Sequence, residues 1–500
     1  MKKKILSLVL AMTMMGSLLT GCSSGTSGGG SDDGDSQEAA NITMTFPILS
    51  AVPADLEKVE DAMSEMAMEK IGCTITLQPM GIADYMTQAP LMLSGGEDIG
   101  LMIHFDGITN FTTMIQKGQI QDITDLVDEY APEIKDVVGS DYLSTGTVDG
   151  KLYGVPTLRN LASACGVIMR TDLLEKYDID VSQIKTFEDL EPVFQTIKEN
   201  EPDIAPMFMG GSAINPLDMV IRTRADILGD GYGVLMDRGQ DTTVTNYFES
   251  DEYKNYVTTI YNWGQKGYLL PDSESIQDTY TTLFKANKIF ASLMGSSPGQ
   301  VTQDERNTGM DLTLVDIEQP FTMTNAVNGI QWVVPMGAEN PEKSVEVMKL
   351  LYTDADFLNL LNYGIEGEHY VMSGEDRISL PEGMTLDQSP YNWSIAYETG
   401  NKFLCYTWDT DEDDLWEKTK QFNEEAEVSS AMGFIFDSSN VSAELTALAN
   451  ASSQYRVGLE NGALDPAEYL DQFNADLKTA GIDTVIAEKQ KQLDEWFESK

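Results

Sequence analysis

The sequence predicts an α/β protein with two sheet-bearing regions and a helical C-terminal part. Three observations carry this reading. Over residues 41–105, short apolar and β-branched runs alternate with longer runs of helical period. A second stretch of the same kind extends to about residue 335. From Pro341 onward almost every segment has helical period.

Taken in order, 41–46 reads as a strand and Pro53 opens a helix that runs to about Lys70. Residues 71–79 form a strand whose core face carries Ile71, Cys73, Ile75 and Leu77, and 83–93 form a helix. Gly95-Gly96-Glu97-Asp98 turns into an apolar strand, 99–105. Such an alternation makes a parallel sheet covered by helices, and its ligands bind beyond the carboxyl ends of strands. His104, Phe105 and Asp106 sit at one such end. A glycine-bounded extended segment follows at 150–156. The second region has a strand at 166–169, a helix capped by Thr171, a strand at 204–209 and helices at 214–228 and 250–266. Strands at 289–294 and 330–334 close it. Helices then fill 341–352, 355–363, 413–427, 440–460, 466–479 and 483–499, with Asp465-Pro466 as N-cap and first helical residue of the fifth.

The length of 500 residues suggests two or three domains. Charge excludes more than length does. There are 81 acidic and 32 basic residues, a net charge of −49, which repels nucleic acid and anionic lipid. His104 and His369 are the only histidines, so no three-histidine metal site can form.

No catalytic constellation survives inspection. Gly295-Ser296-Ser297-Pro298-Gly299 matches a nucleophile elbow, but the oxyanion donor would be the N–H that Pro298 lacks. It reads better as a ligand-side loop after the 289–294 strand. Asp409 to Asp414 lacks the glycine and glutamate of a calcium loop, since Asp414 and Lys420 stand in their places, and reads as an acidic helix start. The glycines of 229–233 lack dinucleotide spacing. Neither a cofactor nor a metal is expected.

The N-terminus points to a compartment. Lys2, Lys3 and Lys4 precede an apolar run over 5–19, too short to span a bilayer comfortably. It ends in Leu19-Thr20-Gly21-Cys22, which resembles the lipobox of bacterial lipoproteins, with 1–21 removed and Cys22 lipidated. Loss of the three lysines takes the net charge to −52. Residues 22–40 hold the anchor and a Ser/Gly/Asp tether expected to be disordered, about 25 Å long as a coil. Cys73, Cys165 and Cys405 remain and read as buried free thiols.

Several segments resemble the bacterial extracellular solute-binding proteins, family 1, of ABC importers. They are Asp149 to Pro156 (DGKLYGVP), Leu93 to Ile99 (LSGGEDI), Asn340-Pro341-Glu342-Lys343, Leu361 to Tyr370 (LNYGIEGEHY), and the tail from Tyr455 to Phe497. The last two resemble a lipoprotein subfamily found mostly in Gram-positive bacteria. The resemblance implies a two-lobed, type II periplasmic-binding-protein-like fold with a cleft between the lobes. One lobe would take about 41–157 plus 286–335, and the other 158–285 plus a helical remainder, 336–500.

Sugar binding calls for flat aromatics against C–H faces and for carboxylates, amides or arginine at hydroxyl rims. Trp393 and Tyr391, beside the Thr399-Gly400 turn with Asn401, lie in a region of the subfamily near the cleft. Tyr363 and Glu366 belong to the NYGIEG turn, Trp332 to the strand at 330–334, and Asn328 lies just ahead of it. Arg159, past the crossover proline, is either a ligand clamp or a salt-bridge partner. Trp263, Trp416 and Trp496, at helical spacing, read as core. The sharpest expectation has Trp393 stacking on a sugar ring while His104, Asp106 and Glu366 bond its hydroxyls.

The functional expectation is a monomeric, lipid-anchored, extracellular substrate-binding subunit that delivers a carbohydrate, an oligosaccharide above all, to an ABC permease. The alternatives are a peptide or other polar solute, or a surface glycan hydrolase working through two carboxylates.

Overall fold

In the computed structural model, residues 39–48, 51–210, 215–393 and 395–499 are described. The leader, Cys22 and all but the last two tether residues lie outside them. The first sheet is built around strand Ala40–Ile48, buried without a break from Met44 to Ile48. A strand covered on both faces needs a partner on each edge. Cys73–Gly81 and Leu101–Phe105 flank it, both parallel. Ile330–Val333 then pairs antiparallel with Leu101–Phe105, and Gly154–Pro156 antiparallel with Ile330–Val333. Helix Leu56–Ile71 covers one face and stops at Gly72, whose φ of 73° lets its N–H reach the carbonyls of Ala67 and Met68.

The second sheet centres on Ser163–Arg170, antiparallel to both Leu312–Thr322 and Ile289–Ser296. Ala205–Phe208 extends it beside Ile289–Ser296 and Glu427–Val428 beside Leu312–Thr322, each parallel to its neighbour. Helices Ser442–Glu460, Pro466–Ala480 and Ile482–Ser499 close its core with Leu448, Leu459, Phe473, Leu477 and Val485. Asp465 caps the second of these by accepting from the Ala467 N–H at 2.9 Å.

Two expectations about the division of the chain are corrected. Residues 286–335 do not belong to the first lobe as a block: Ile289–Ser296 and Leu312–Thr322 pair with Ser163–Arg170 in the second sheet, and only Ile330–Val333 returns to the first. Nor does 336–500 pack wholly on the second. Helices Pro341–Thr353 and Ala355–Tyr363 fill the first core with Val345, Met348, Leu351, Phe357 and Leu361, because they follow directly on a first-sheet strand. Thr171 is a smaller correction: it is the first helical residue rather than the cap, and its hydroxyl pairs with that of Thr313 at 2.8 Å. Cys73, Cys165 and Cys405 are buried free thiols.

The chain passes between the sheets three times, and the three crossings are bonded side by side. In the first, the Thr157 N–H donates to Ile330 O (3.1 Å) and the Leu158 N–H to Gly400 O (2.9 Å), while Leu158 O accepts from the Lys402 N–H (2.9 Å). Asn423, in helix Leu415–Glu424 of the third, accepts from the N–H groups of Leu161 and Ala162 (2.8 and 3.1 Å) and donates to Arg159 O at 2.7 Å. Downstream, the Ser429 N–H donates to Thr322 O (2.9 Å) and the Thr324 hydroxyl to Ala431 O (3.1 Å).

Asn423 is buried, so removing its amide strands three backbone groups without water. Asn423→Ala should lower stability by roughly 2–3 kcal/mol in urea denaturation. A midpoint and slope equal to wild type would show that these bonds do not hold the crossings.

Candidate functional site

Strand register places the ends of both sheets at the edge where the chain crosses. Ile330 stands opposite Phe105, Gln331 opposite Pro156, and Phe321 opposite Ser163. The carboxyl ends of Leu101–Phe105 and Gly154–Pro156 therefore meet the crossings directly. The turn after Phe105 is held from within. The N–H groups of Ile108 and Thr109 donate to Phe105 O at 3.0 and 2.9 Å, and the Phe105 N–H donates to the Thr109 hydroxyl oxygen at 3.1 Å. His104 Nδ1 lies 2.7 Å from the same hydroxyl. The Asp106 N–H donates to Gly329 O at 2.7 Å, which ties the turn to the second crossing.

This arrangement leaves the Asp106 side chain open at the seam. The surrounding protein pushes its carboxyl pKa up, and Arg222, on helix Asp218–Arg224 of the second lobe, opposes that. His104 is buried beside Phe111, and burial drives its pKa down to about 3. It is a neutral group that positions the turn rather than a ligand to a solute charge. Arg159 points into the hinge, donating to the carbonyls of Asn160 and Ala326 at 3.0 and 2.9 Å, so it ties two crossings together, which is neither of its two readings, a ligand clamp or a salt-bridge partner. Asn328 donates to Thr145 O at 3.2 Å, and Asn401 to Tyr352 O at 3.2 Å within the third crossing. Phe105 is half-buried at the strand end.

The aromatic expectations are corrected. Trp393 is only 6% exposed, donates Nε1–H to Leu361 O at 3.1 Å, and meets Phe46 and Tyr391 edge-on. It is a core residue of the first lobe and no face is left for a sugar. Tyr391 is buried, with its hydroxyl on Leu361 O at 2.7 Å, and stacks on His369. Trp332 is fully buried against Phe46. Tyr363 donates to Tyr406 O at 2.8 Å. Glu366 is exposed in a turn bridged to Tyr370 and is not brought to Asp106 by any contact. A loop with polar neighbours can carry core aromatics when its backbone runs over the surface and its rings point down, and periodicity does not reveal this.

Sequence reading missed Arg222, Asn423 and Glu398. Glu398 is fully buried beside the third crossing, with no partner for either oxygen, and burial pushes its pKa up to about 9. Nothing in its local sequence marks it. Of the Gly295–Gly299 segment, read as a loop, Gly295 and Ser296 are the last residues of strand Ile289–Ser296, paired with Cys165 and Ala164, and only 297–299 link it to helix Gln300–Thr308. The acidic run at 409–414 is met by cations, with Arg306 on Asp411, Arg377 on Asp413 and Lys418 on Asp414. Among the described residues no cluster could hold a metal ion, and no helix is long and apolar enough to cross a membrane.

Comparison with known proteins adds to this geometry. Residues 62–364 match the family described as bacterial extracellular solute-binding protein, and 430–498 match a domain of unknown function (DUF3502). A carbohydrate ABC transporter substrate-binding protein of Streptococcus pneumoniae is 28% identical over 452 residues, covering 90% of this chain and 89% of that one. Lipoprotein LipO of Bacillus subtilis is 25% identical over 430 residues, 80% and 78% of the two chains. The structure of the N-glycan transport solute binding protein NgtS from Streptococcus pneumoniae is 26% identical with a TM-score of 0.80, over 92% of this chain and 99% of that one. The same protein in complex with Man1GlcNAc and with Man5GlcNAc gives 0.72 and 0.69 over the same 92% of this chain and 100% and 99% of those.

Glu398 and His104 should leave opposite marks on stability. A carboxyl raised from 4.5 to about 9 in the folded state contributes stability present below 4.5 and lost as pH rises towards 9. An imidazole lowered from 6.5 to about 3 contributes stability present above 6.5 and lost as pH falls towards 3. Urea denaturation across this range should therefore show Glu398→Gln flattening the alkaline limb and His104→Gln the acid limb. Variants whose profiles run parallel to wild type throughout would contradict both assignments.

Proposed function

From the premise that this chain belongs to the bacterial extracellular solute-binding proteins, we propose that it captures a neutral oligosaccharide at the seam between its two sheets and hands it to an ABC permease. As a member of that family it is a binding protein and not an enzyme. The observation that carries the proposal is the Asp106 turn: a hydrogen-bond acceptor held rigidly at a strand's carboxyl end, beside crossings about which two lobes can move. A solute favours the closed arrangement only through contacts made to both lobes at once. A neutral solute suits a body of net charge −49 better than an acidic sugar does. The carbohydrate class is supported by the Streptococcus pneumoniae relatives, one a carbohydrate ABC transporter substrate-binding protein and one solved with mannose–N-acetylglucosamine glycans.

Anchoring through Cys22 to the outer face of the cell membrane belongs to the same proposal. It is supported by Leu19-Thr20-Gly21-Cys22 and by the lipoprotein relative LipO. In the native host Cys22→Ala should shift the protein from the membrane fraction to the medium, or leave it as precursor. Membrane fractionation unchanged from wild type would remove the anchor.

Calorimetry against mannose–N-acetylglucosamine oligosaccharides, fructooligosaccharides and short peptides tests the ligand class. Binding to at least one sugar and to no peptide is expected, with a smaller radius of gyration in solution scattering once the sugar is bound. Peptide binding alone, or no binding to any sugar, would sink the carbohydrate reading.

A further inference from the structure

Residues 430–498, the domain of unknown function, begin where the chain leaves strand Glu427–Val428 of the second sheet. Before reaching helix Ser442–Glu460 the chain turns back to the first lobe. The turn is fixed at the second crossing, where the Thr324 hydroxyl donates to Ala431 O at 3.1 Å and accepts from the Gly433 N–H at 2.9 Å. Met432 is buried in the first core. A Cβ on Gly433 would lie 2.7 Å from Ser144 Oγ and 3.6 Å from Trp496 Cζ2. Ser144 ends a helix whose Leu143 belongs to the first core, and Trp496 is on helix Ile482–Ser499 of the second lobe. Gly433 is thus all that separates the lobes at this point. Three apolar side chains then alternate between them. Phe434 meets Trp496 edge-on at 5.9 Å, Ile435 packs against the first-lobe cluster that holds Tyr85, Phe111 and Met114, and Phe436 packs on the second lobe under the Lys489 ammonium, 5.2 Å from its ring. Gln492, on the same terminal helix, accepts from the Asp437 N–H and donates to Asp437 O, each at 2.9 Å.

We infer that residues 431–437 are a strap across the seam and that the C-terminal module serves to anchor it. The terminal helix holds one side of the strap, and Ile435 grips the first lobe with the other. Bonded crossings set an axis of rotation but no angle about it, whereas a contact outside the crossings sets an angle. Such a contact favours the arrangement in which it is made by its own free energy. Ile435 therefore restrains the lobes before any solute is present. This goes beyond the solute-binding reading, since the strap acts in the empty protein and on no particular ligand. Its seat still bears on the site. Helix Phe111–Gln116, which supplies Phe111 and Met114 to the seat, starts directly after the Asp106 turn, with Asn110 as its cap. A solute that shifts this turn also shifts the surface on which the strap rests.

The test needs no ligand. Glu129 is exposed on a first-lobe helix and Glu199 on a second-lobe helix. In a Cys22→Ala background, Glu129→Cys and Glu199→Cys carry a pair of spin labels, and the buried Cys73, Cys165 and Cys405 do not compete. Pulsed dipolar spectroscopy on the empty protein should give one narrow distance peak. Ile435→Ser should raise the population outside that peak about fivefold or more, as loss of a half-buried isoleucine implies, while Ile435→Val keeps the wild-type profile. Gln492→Ala frees the strap on its other side, outside the first lobe, and should give the same change. The two substitutions together should do no more than either alone, because a strap cut at one end is already slack. Packing that merely supports each lobe would not show this non-additivity. A broad distribution in wild type, an unchanged peak in Ile435→Ser and Gln492→Ala, or effects that add in the double variant would each overturn the inference. Should Ile435→Ser fail to fold, Gln492→Ala decides by the same peak.

Discussion

The rest of the structure depends on how three crossing segments are bonded together. Two sheets joined by one strand would swing freely, and joined by three unbonded strands would have no common axis. Here the side-chain amide of Asn423 satisfies three backbone groups of the first crossing at once. Arg159 reaches from the first crossing to Ala326 in the second, and Leu158 exchanges backbone bonds with the Gly400–Lys402 segment of the third. A shared axis follows from the sharing of bonds. It lies beside the strand ends where Asp106 is displayed, so small rotation there moves the facing lobe most at the seam's far side.

The same region carries several buried polar atoms without partners. Gln331 has both amide atoms buried without partners, Trp332 its indole N–H, Glu398 both oxygens, Thr322 its hydroxyl and Arg159 its Nε. All lie on or next to the crossings. Gln331 is packed so closely on Gly154 that a Cβ there would sit 2.5 Å from its amide oxygen, so the glycine is needed for close approach rather than for its φ. Orphaned buried polar groups destabilise a single rigid arrangement, and regions that change arrangement are drawn from the less stable parts of a protein. Within the second lobe, Asp226, Trp263 and Asn461 also carry a buried atom without a partner, whereas Arg456 reaches both Glu460 and Asp218.

Much of this was legible in the sequence. The strand–helix alternation over 41–105, the strand at 289–294 and the C-terminal helices were found at close to their observed bounds, because each is set by local period and capping, as at Asp465. The strand end bearing His104 and Asp106 was legible for the same reason. Burial of Trp393 was not, since nothing in Tyr391-Asn392-Trp393 says which way a loop's rings point. Nor was the sharing of 286–335 between lobes, because pairing of Ile289–Ser296 with Ser163–Arg170 is a contact across more than a hundred residues.

What the sequence by itself determined is therefore the set of local elements, the acidic body, the absence of a nucleophile elbow through Pro298, and a family likeness carried by short motifs. Tertiary structure alone decided which strands share a sheet, that Arg159 and Asn423 bind crossings together, and that Trp393 packs inside the first core. The physical reason is the range of the forces involved. Propensity, capping and period act over a few residues. Sheet partnership, desolvation of Glu398 and the field between two lobes arise only when segments far apart in the chain are brought to a few ångströms.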